Sequence, residues 1–119
     1  MWNFRDLIVW EKSIQLCDNI YKTVSTFPKE ELYWLTSQIK RSSISIPSNI
    51  AEWYDRNSSK DFIRFLLISK GSCAELETQL ILSSKLGFID NQILEKIIYS
   101  IVEIRKMISW LISKINENE

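Results

Sequence analysis

Residues 32–56, LYWLTSQIKRSSISIPSNIAEWYDR, constrain the fold more than any other stretch of the chain. At about 100° of rotation per residue, Leu32, Leu35, Ile39, Ser42, Ile46, Ile50 and Trp53 fall on one line of a helix. Gln38, Arg41, Ser45, Asn49, Glu52 and Arg56 form a polar line beside it. An apolar stripe of this length has to be buried against other helices. Pro47 sits inside it, removes one backbone hydrogen bond, and predicts a kink or a break there.

Three further helices follow from the same periodicity. Leu7, Trp10, Ile14, Cys17, Tyr21 and Val24 step by three and four, a seam that ends near Phe27-Pro28 because proline disfavours helix in the residue before it. Pro28, Glu30 and Glu31 suit the first turn of the second helix. The third helix is expected to open at Ser58, with Asp61 in capping-box position, and to stop at Gly87 after Leu86. Asp90 is the expected cap of the fourth, whose inner face carries Ile93, Ile97, Ile101, Ile104, Ile108, Leu111 and Ile115. The final residues, NENE, are expected to fray. With two glycines and two prolines in 119 residues, there is little punctuation for a many-turned β fold. The chain therefore reads as one domain over residues 1–119: an all-α, antiparallel up-down four-helix bundle with its second helix kinked or broken near Pro47.

The third helix is apolar on two sides. Its core line is Phe62, Phe65, Leu66, Ser69, Cys73, Leu76 and Leu80, and nearly opposite stand Ile63, Leu67, Ala74 and Ile81. A bundle helix needs one apolar stripe, so the second predicts contact with another copy of the chain. Leu94, Ile98 and Ile112 widen the stripe of the fourth helix in the same sense. Leaving such side chains in water forgoes roughly 1.5–3 kcal/mol each. The small residues Ser69, Gly71, Ser72, Cys73 and Ala74 predict a close helix crossing midway along the third helix.

Chemistry is harder to find. There is no histidine, which removes the usual base of nucleophilic catalysis and the Glu-x-x-His ligands of a di-metal bundle. Glu52, Glu75 and Glu77 leave only a carboxylate-only Mg²⁺ or Ca²⁺ site to consider. Cys17 and Cys73 stand alone in helical patterns and read as small buried apolar residues. No glycine-rich phosphate loop exists. No enzyme activity, metal or cofactor is expected. Early charges exclude a signal peptide, no apolar run reaches the roughly 20 residues of a membrane span, and a cytoplasmic protein is expected.

Fifteen basic and fifteen acidic residues cancel, so a phosphate-binding surface has to be local. One candidate is the stretch 40–70, where Lys40, Arg41, Arg56, Lys60, Arg64 and Lys70 face only Glu52, Asp55 and Asp61. Repeated around a symmetry axis, these cations would present phosphate contacts, with Trp34 and Tyr54 available for stacking or for packing. The polar line of Gln38, Ser45, Asn49 and Glu52, with Arg41 and Arg56, fits two roles at this point. It is either part of that binding surface or a hydrogen-bond ladder within or between subunits.

FRDLIVWEKSIQL, FPKEELYWLTSQIKRSSISIPSNIAE, the pattern R-x-S-x-x-x-F-x-x-FL, KGSCAELETQL and LGF, in this order, resemble the four-helix bundle proteins encoded in bacterial 23S ribosomal RNA intervening sequences. The resemblance covers nearly the whole chain. It implies an up-down bundle assembled into a ring, typically a pentamer, with an RNA association suggested by genetic context. It also points to a related branch, the accessory variability determinants of diversity-generating retroelements, which form a basic barrel that binds nucleic acid and a reverse transcriptase. Arg41, Asn49, Glu52 and Arg56 match family positions. The family's usual glycines after IAE are replaced here by Trp53 and Asp55, and the neutral charge departs from the basic branch. The resulting expectation is a non-enzymatic homo-oligomeric accessory protein, with itself, ribosomal RNA or another nucleic acid, or a protein as partner. The alternative is a protein-interaction scaffold with no nucleic-acid role.

Overall fold

Four α-helices carry the chain in a computed structural model that describes residues 3–117: α1 (Ile8–Val24), α2 (Ser37–Asp55), α3 (Ile63–Lys85) and α4 (Asn91–Glu117). Each helix packs on the next and α4 returns to α1, giving the expected antiparallel bundle, 47 × 22 × 20 Å. No strand occurs among the described residues. Ile20, Ile39, Ile50, Leu76, Ile101 and Ile108, drawn from all four helices, are wholly enclosed.

The first helix departs from the expected seam. Val9, Ser13, Leu16 and Ile20 face the core, each one position before Trp10, Ile14, Cys17 and Tyr21 of the expected seam, and Val24 is buried as expected. Both lines step by three and four, and a buried serine disguised the inner one. Ser13 tolerates burial because its hydroxyl donates to the Trp10 carbonyl at 2.7 Å. The bulkier rings take the margin, where Trp10 meets Phe4 edge-on at 5.3 Å and Tyr21 lies 4.8 Å below the Lys40 ammonium.

A 3₁₀ turn at Lys29–Glu31 and a π-helical turn at Leu32–Thr36 precede α2. A π turn holds more residues than an α turn and rotates whatever lies before it. Leu32 is consequently 48% exposed and leaves the expected line, whereas Ile39, Ser42, Ile46, Ile50 and Trp53 are all buried. The helix runs unbroken through Pro47. The carbonyl that Pro47 leaves without its helical donor is that of Ser43, and the Cys17 thiol of α1 donates to it at 3.0 Å. Across the other side, Ser69 Oγ of α3 donates to the Ile46 carbonyl at 2.8 Å. The close crossing expected at the small residues is thus made by the enclosed Ser69, Ser72 and Cys73. Gly71 instead faces outward, where a Cβ would meet nothing within 4 Å.

Helix ends follow backbone hydrogen bonding. Past Asp55 the chain turns through left-handed Asn57 (φ 71°), whose N–H donates to the Tyr54 carbonyl while that of Ser58 donates to Trp53. This paired pattern is a Schellman motif with asparagine in the glycine position, so Trp53 and Asp55 stay helical and Trp53 fills the core. Ser58 is itself left-handed (φ 52°) and is not the expected cap; Ser59 precedes a 3₁₀ turn, Lys60–Phe62, that leads into α3. Gly87 (φ 84°) stops α3 as expected, with Phe88 N–H on Ser83 and Gly87 N–H on Ser84. Asp90 caps α4 through Oδ1, which accepts from Gln92 N–H at 2.9 Å. Ile93 is 46% exposed rather than internal, and Leu94 takes its place in the core. Asn116 and Glu117 are helical rather than frayed, while Asn118 and Glu119 lie outside the described residues.

Candidate nucleic-acid interface

The polar line of α2 lies along α3, and the two helices are joined by side chains of both. Ser72 Oγ donates to Ser45 Oγ at 2.8 Å, and Asn49 Nδ2 donates to the Ser45 carbonyl and hydroxyl at 2.8 and 3.0 Å. Ser42 Oγ lies 2.9 Å from the Gln38 carbonyl and 3.0 Å from Gln79 Oε1, its one proton serving either. At Ser45 and Asn49 the row is therefore a ladder inside one chain. Arg41, Glu52 and Arg56 form its solvent side. Arg41 donates to Gln38 Oε1, and Arg56 Nε lies 3.5 Å from Glu52 Oε2. An exposed pair of this kind contributes at most about 0.5 kcal/mol.

The six cations do not make one surface. Lys40 points towards α1, over Tyr21. Arg41 is tied to Gln38 near the start of α2, some 22 Å of helix rise from Arg56. Lys70 is exposed and falls between Leu67 and Ala74 on the outer side of α3. Arg56 and Arg64, by contrast, converge. Arg56 sits 5.2 and 5.4 Å from the Phe62 and Phe65 ring centres, and Arg64 sits 5.4 and 4.8 Å from the same two. The rings are stacked at 6.4 Å with 24° between planes, and Lys60 stands in the turn before them. This aromatic platform was not anticipated. The signal available for it was the interleaving of Phe62, Arg64 and Phe65, but bringing Arg56 onto it depends on the left-handed turn at Asn57 and Ser58.

Of the expected self-association positions, Leu67 and Ile81 are 52% and 36% exposed and Ala74 is exposed as well. Ile63 differs, being half-buried against the core. Trp34 is exposed, whereas Tyr54 is half-buried and packs edge-on against Trp53. Trp53 Nε1 is buried and donates to no group among the described residues. Glu52 pairs with Arg56 and Glu77 with Arg105 at 3.5 Å, and no metal-holding cluster of acids and cysteines forms among the described residues. Burial pushes the Cys73 thiol up to about 12, with Arg105 pulling it down and Glu77 pushing it up to lesser degrees. Burial also raises the Cys17 thiol, partly offset by its bond to Ser43. Among the described residues, no helix is long and apolar enough to cross a membrane.

Residues 5–110 match the family model described as 23S rRNA-intervening sequence protein. The chain is also similar to a crystal structure of a protein with unknown function from the S23 ribosomal protein family of Bacteroides thetaiotaomicron. That likeness has 30% identity and a TM-score of 0.78, over 88% of this chain and 98% of the other. No curated protein matches.

Proposed function

This chain belongs to the 23S rRNA-intervening sequence protein family, and from that premise we propose that it is a non-enzymatic accessory protein that associates with its own copies and holds RNA or another nucleic acid on a basic and polar face at the α2–α3 turn. The observation that carries the reading is the two-sided build of α3. Its inner line is sealed against the bundle, while Leu67, Ile68, Ile81 and Leu82 stand open on the other side. Covering these four in a copy-to-copy contact gains several kcal/mol at roughly 25 cal/mol per Å² of apolar surface. A ring, pentameric in the assembly that the family resemblance implies, repeats the cations of the α2–α3 turn around an axis. A neutral chain then offers several phosphate contacts at once. The absence of histidine and the upward displacement of both thiols support a binding role rather than a nucleophilic one.

A second reading, a protein-interaction scaffold, is favoured by one observation: Ser45, Asn49 and Ser72 satisfy one another within the chain. Size-exclusion chromatography with light scattering, with and without structured ribosomal RNA over a salt series, separates the two. The expected result is an oligomer that shifts onto RNA at low salt and releases it at high salt. An oligomer indifferent to RNA at every salt concentration leaves the scaffold, and a monomer refutes self-association.

A further inference from the structure

We propose that Arg56 and Arg64, laid over the Phe62–Phe65 pair at the α2–α3 turn, are the grip for a single-stranded nucleic acid, with phosphate on the guanidinium edges and a base on a guanidinium face. The inference rests on the nucleic-acid reading above and narrows it from six cations to two. A guanidinium placed over a ring is held by cation–π attraction, a contact that uses none of its N–H donors. Each arginine carries five N–H donors. Arg56 has a 3.5 Å contact to Glu52, and Arg64 a 3.4 Å contact from Nη1 to the Asp61 carbonyl. The first is an ion pair and the second a hydrogen bond at the long limit, so most donors of both guanidiniums stay open. Because each lies within 5.4 Å of the Phe65 ring centre, the two charges are at most about 10 Å apart.

Geometry rather than net charge selects this turn. Arg56, Lys60 and Arg64 share it with Glu52, Asp55 and Asp61, so bulk attraction is balanced out. A duplex, gripped mainly through its charge density, has little to gain here. An unpaired strand offers base faces as well as phosphates, and arginine planes stack on bases. Of the other four cations, Lys60 lacks a planar face for stacking, Lys40 lies over Tyr21, Arg41 is on Gln38, and Lys70 is on the side of α3 that a second copy would cover.

The test is fluorescence anisotropy of the full chain with a labelled single-stranded oligouridylate across a KCl series. Replacing both arginines (Arg56→Gln with Arg64→Gln) is expected to weaken binding roughly tenfold or more and to flatten the log–log salt slope by about 1.4, two single-strand phosphate contacts. Lys40→Gln with Lys70→Gln is expected to leave affinity within about threefold, and Glu52→Gln to tighten it by releasing Arg56. If the glutamine pair fails to fold by circular dichroism, Arg56→Lys with Arg64→Lys keeps the charge. That pair should bind more weakly at an unchanged slope, because lysine neutralises phosphate without stacking. Binding lost in the Lys40/Lys70 variant but kept in the arginine variants overturns this inference and leaves the broader reading standing. Equal competition by polyglutamate overturns it in favour of an acidic peptide. No binding by the unaltered chain at any salt concentration overturns both.

Discussion

Replacing Pro47 with alanine tests how α2 accommodates an imino acid in its interior. Proline there is about 3 kcal/mol less favourable than alanine, chiefly through the missing N–H and the ring's clash with the preceding turn. Against this, Pro47 is buried, and losing two ring methylenes forgoes about 1.6 kcal/mol. The Ser43 carbonyl already accepts from the Cys17 thiol at 3.0 Å, which further reduces what a restored N–H can add. The net expectation is a stabilisation of about 1 kcal/mol, equivalent to about 4 °C in Tm for a domain of this size. The assay is urea denaturation followed by far-ultraviolet circular dichroism at fixed protein concentration, for Pro47→Ala, Cys17→Ala and the double variant. Cys17→Ala should cost about 0.5 kcal/mol less in the alanine background, where the carbonyl has its helical donor again. A lowered midpoint for Pro47→Ala, or an equal cost of Cys17→Ala in both backgrounds, would refute the reasoning.

Three further outcomes are expected. The Cys73 thiol, raised from an ordinary 9.0 to about 12, keeps its proton in the fold while the unfolded chain loses it, so its contribution is full below pH 9 and declines from there towards pH 12. Stability of the unaltered chain should therefore fall more steeply than that of Cys73→Ala over this window, by up to about 1.4 kcal/mol per pH unit; parallel curves would contradict the burial of the thiol. Gly71→Ala, with open space where its Cβ would stand, should raise stability by about 0.5–1 kcal/mol in dilute chemical denaturation, and a loss would mean that the position is crowded. Ser69→Val removes the bond to the Ile46 carbonyl and adds bulk where α2 and α3 approach, and should cost about 1–3 kcal/mol; a neutral result would mean that the crossing is loose.

The four helices were legible because spacing and punctuation agreed: Gly87 and Asp90 mark the α3–α4 connection, and Ile97, Ile101, Ile104 and Ile108 turn inward as a periodic line should. The face of α1 was not legible, since two apolar lines one residue apart compete and burial of Ser13 depends on a hydroxyl bond that spacing does not reveal. Leu32 misled because a π turn has no plain residue signature. At the candidate interface, residue types were legible and grouping was not. Lys40, Arg41 and Arg56 are near in sequence, yet the rotation of a helix and the turn at Asn57 divide them.

The bundle's four seams are unequal. α2 and α3 share the most extensive contact and are joined by a short turn, whereas α1 and α4 share the least of the neighbouring pairs. The α1–α4 seam is crossed by the half-exposed Lys12–Glu103 pair, with 3.2 Å between nitrogen and oxygen. Closing α2 on α3 orders only a few connecting residues, while joining α1 to α4 brings together segments separated by most of the chain. Folding is therefore expected to start as an α2–α3 hairpin and finish at the first-to-last seam. The same order in reverse makes that seam the line of easiest local opening, so the amides of α1 should exchange with solvent before those of α2 and α3.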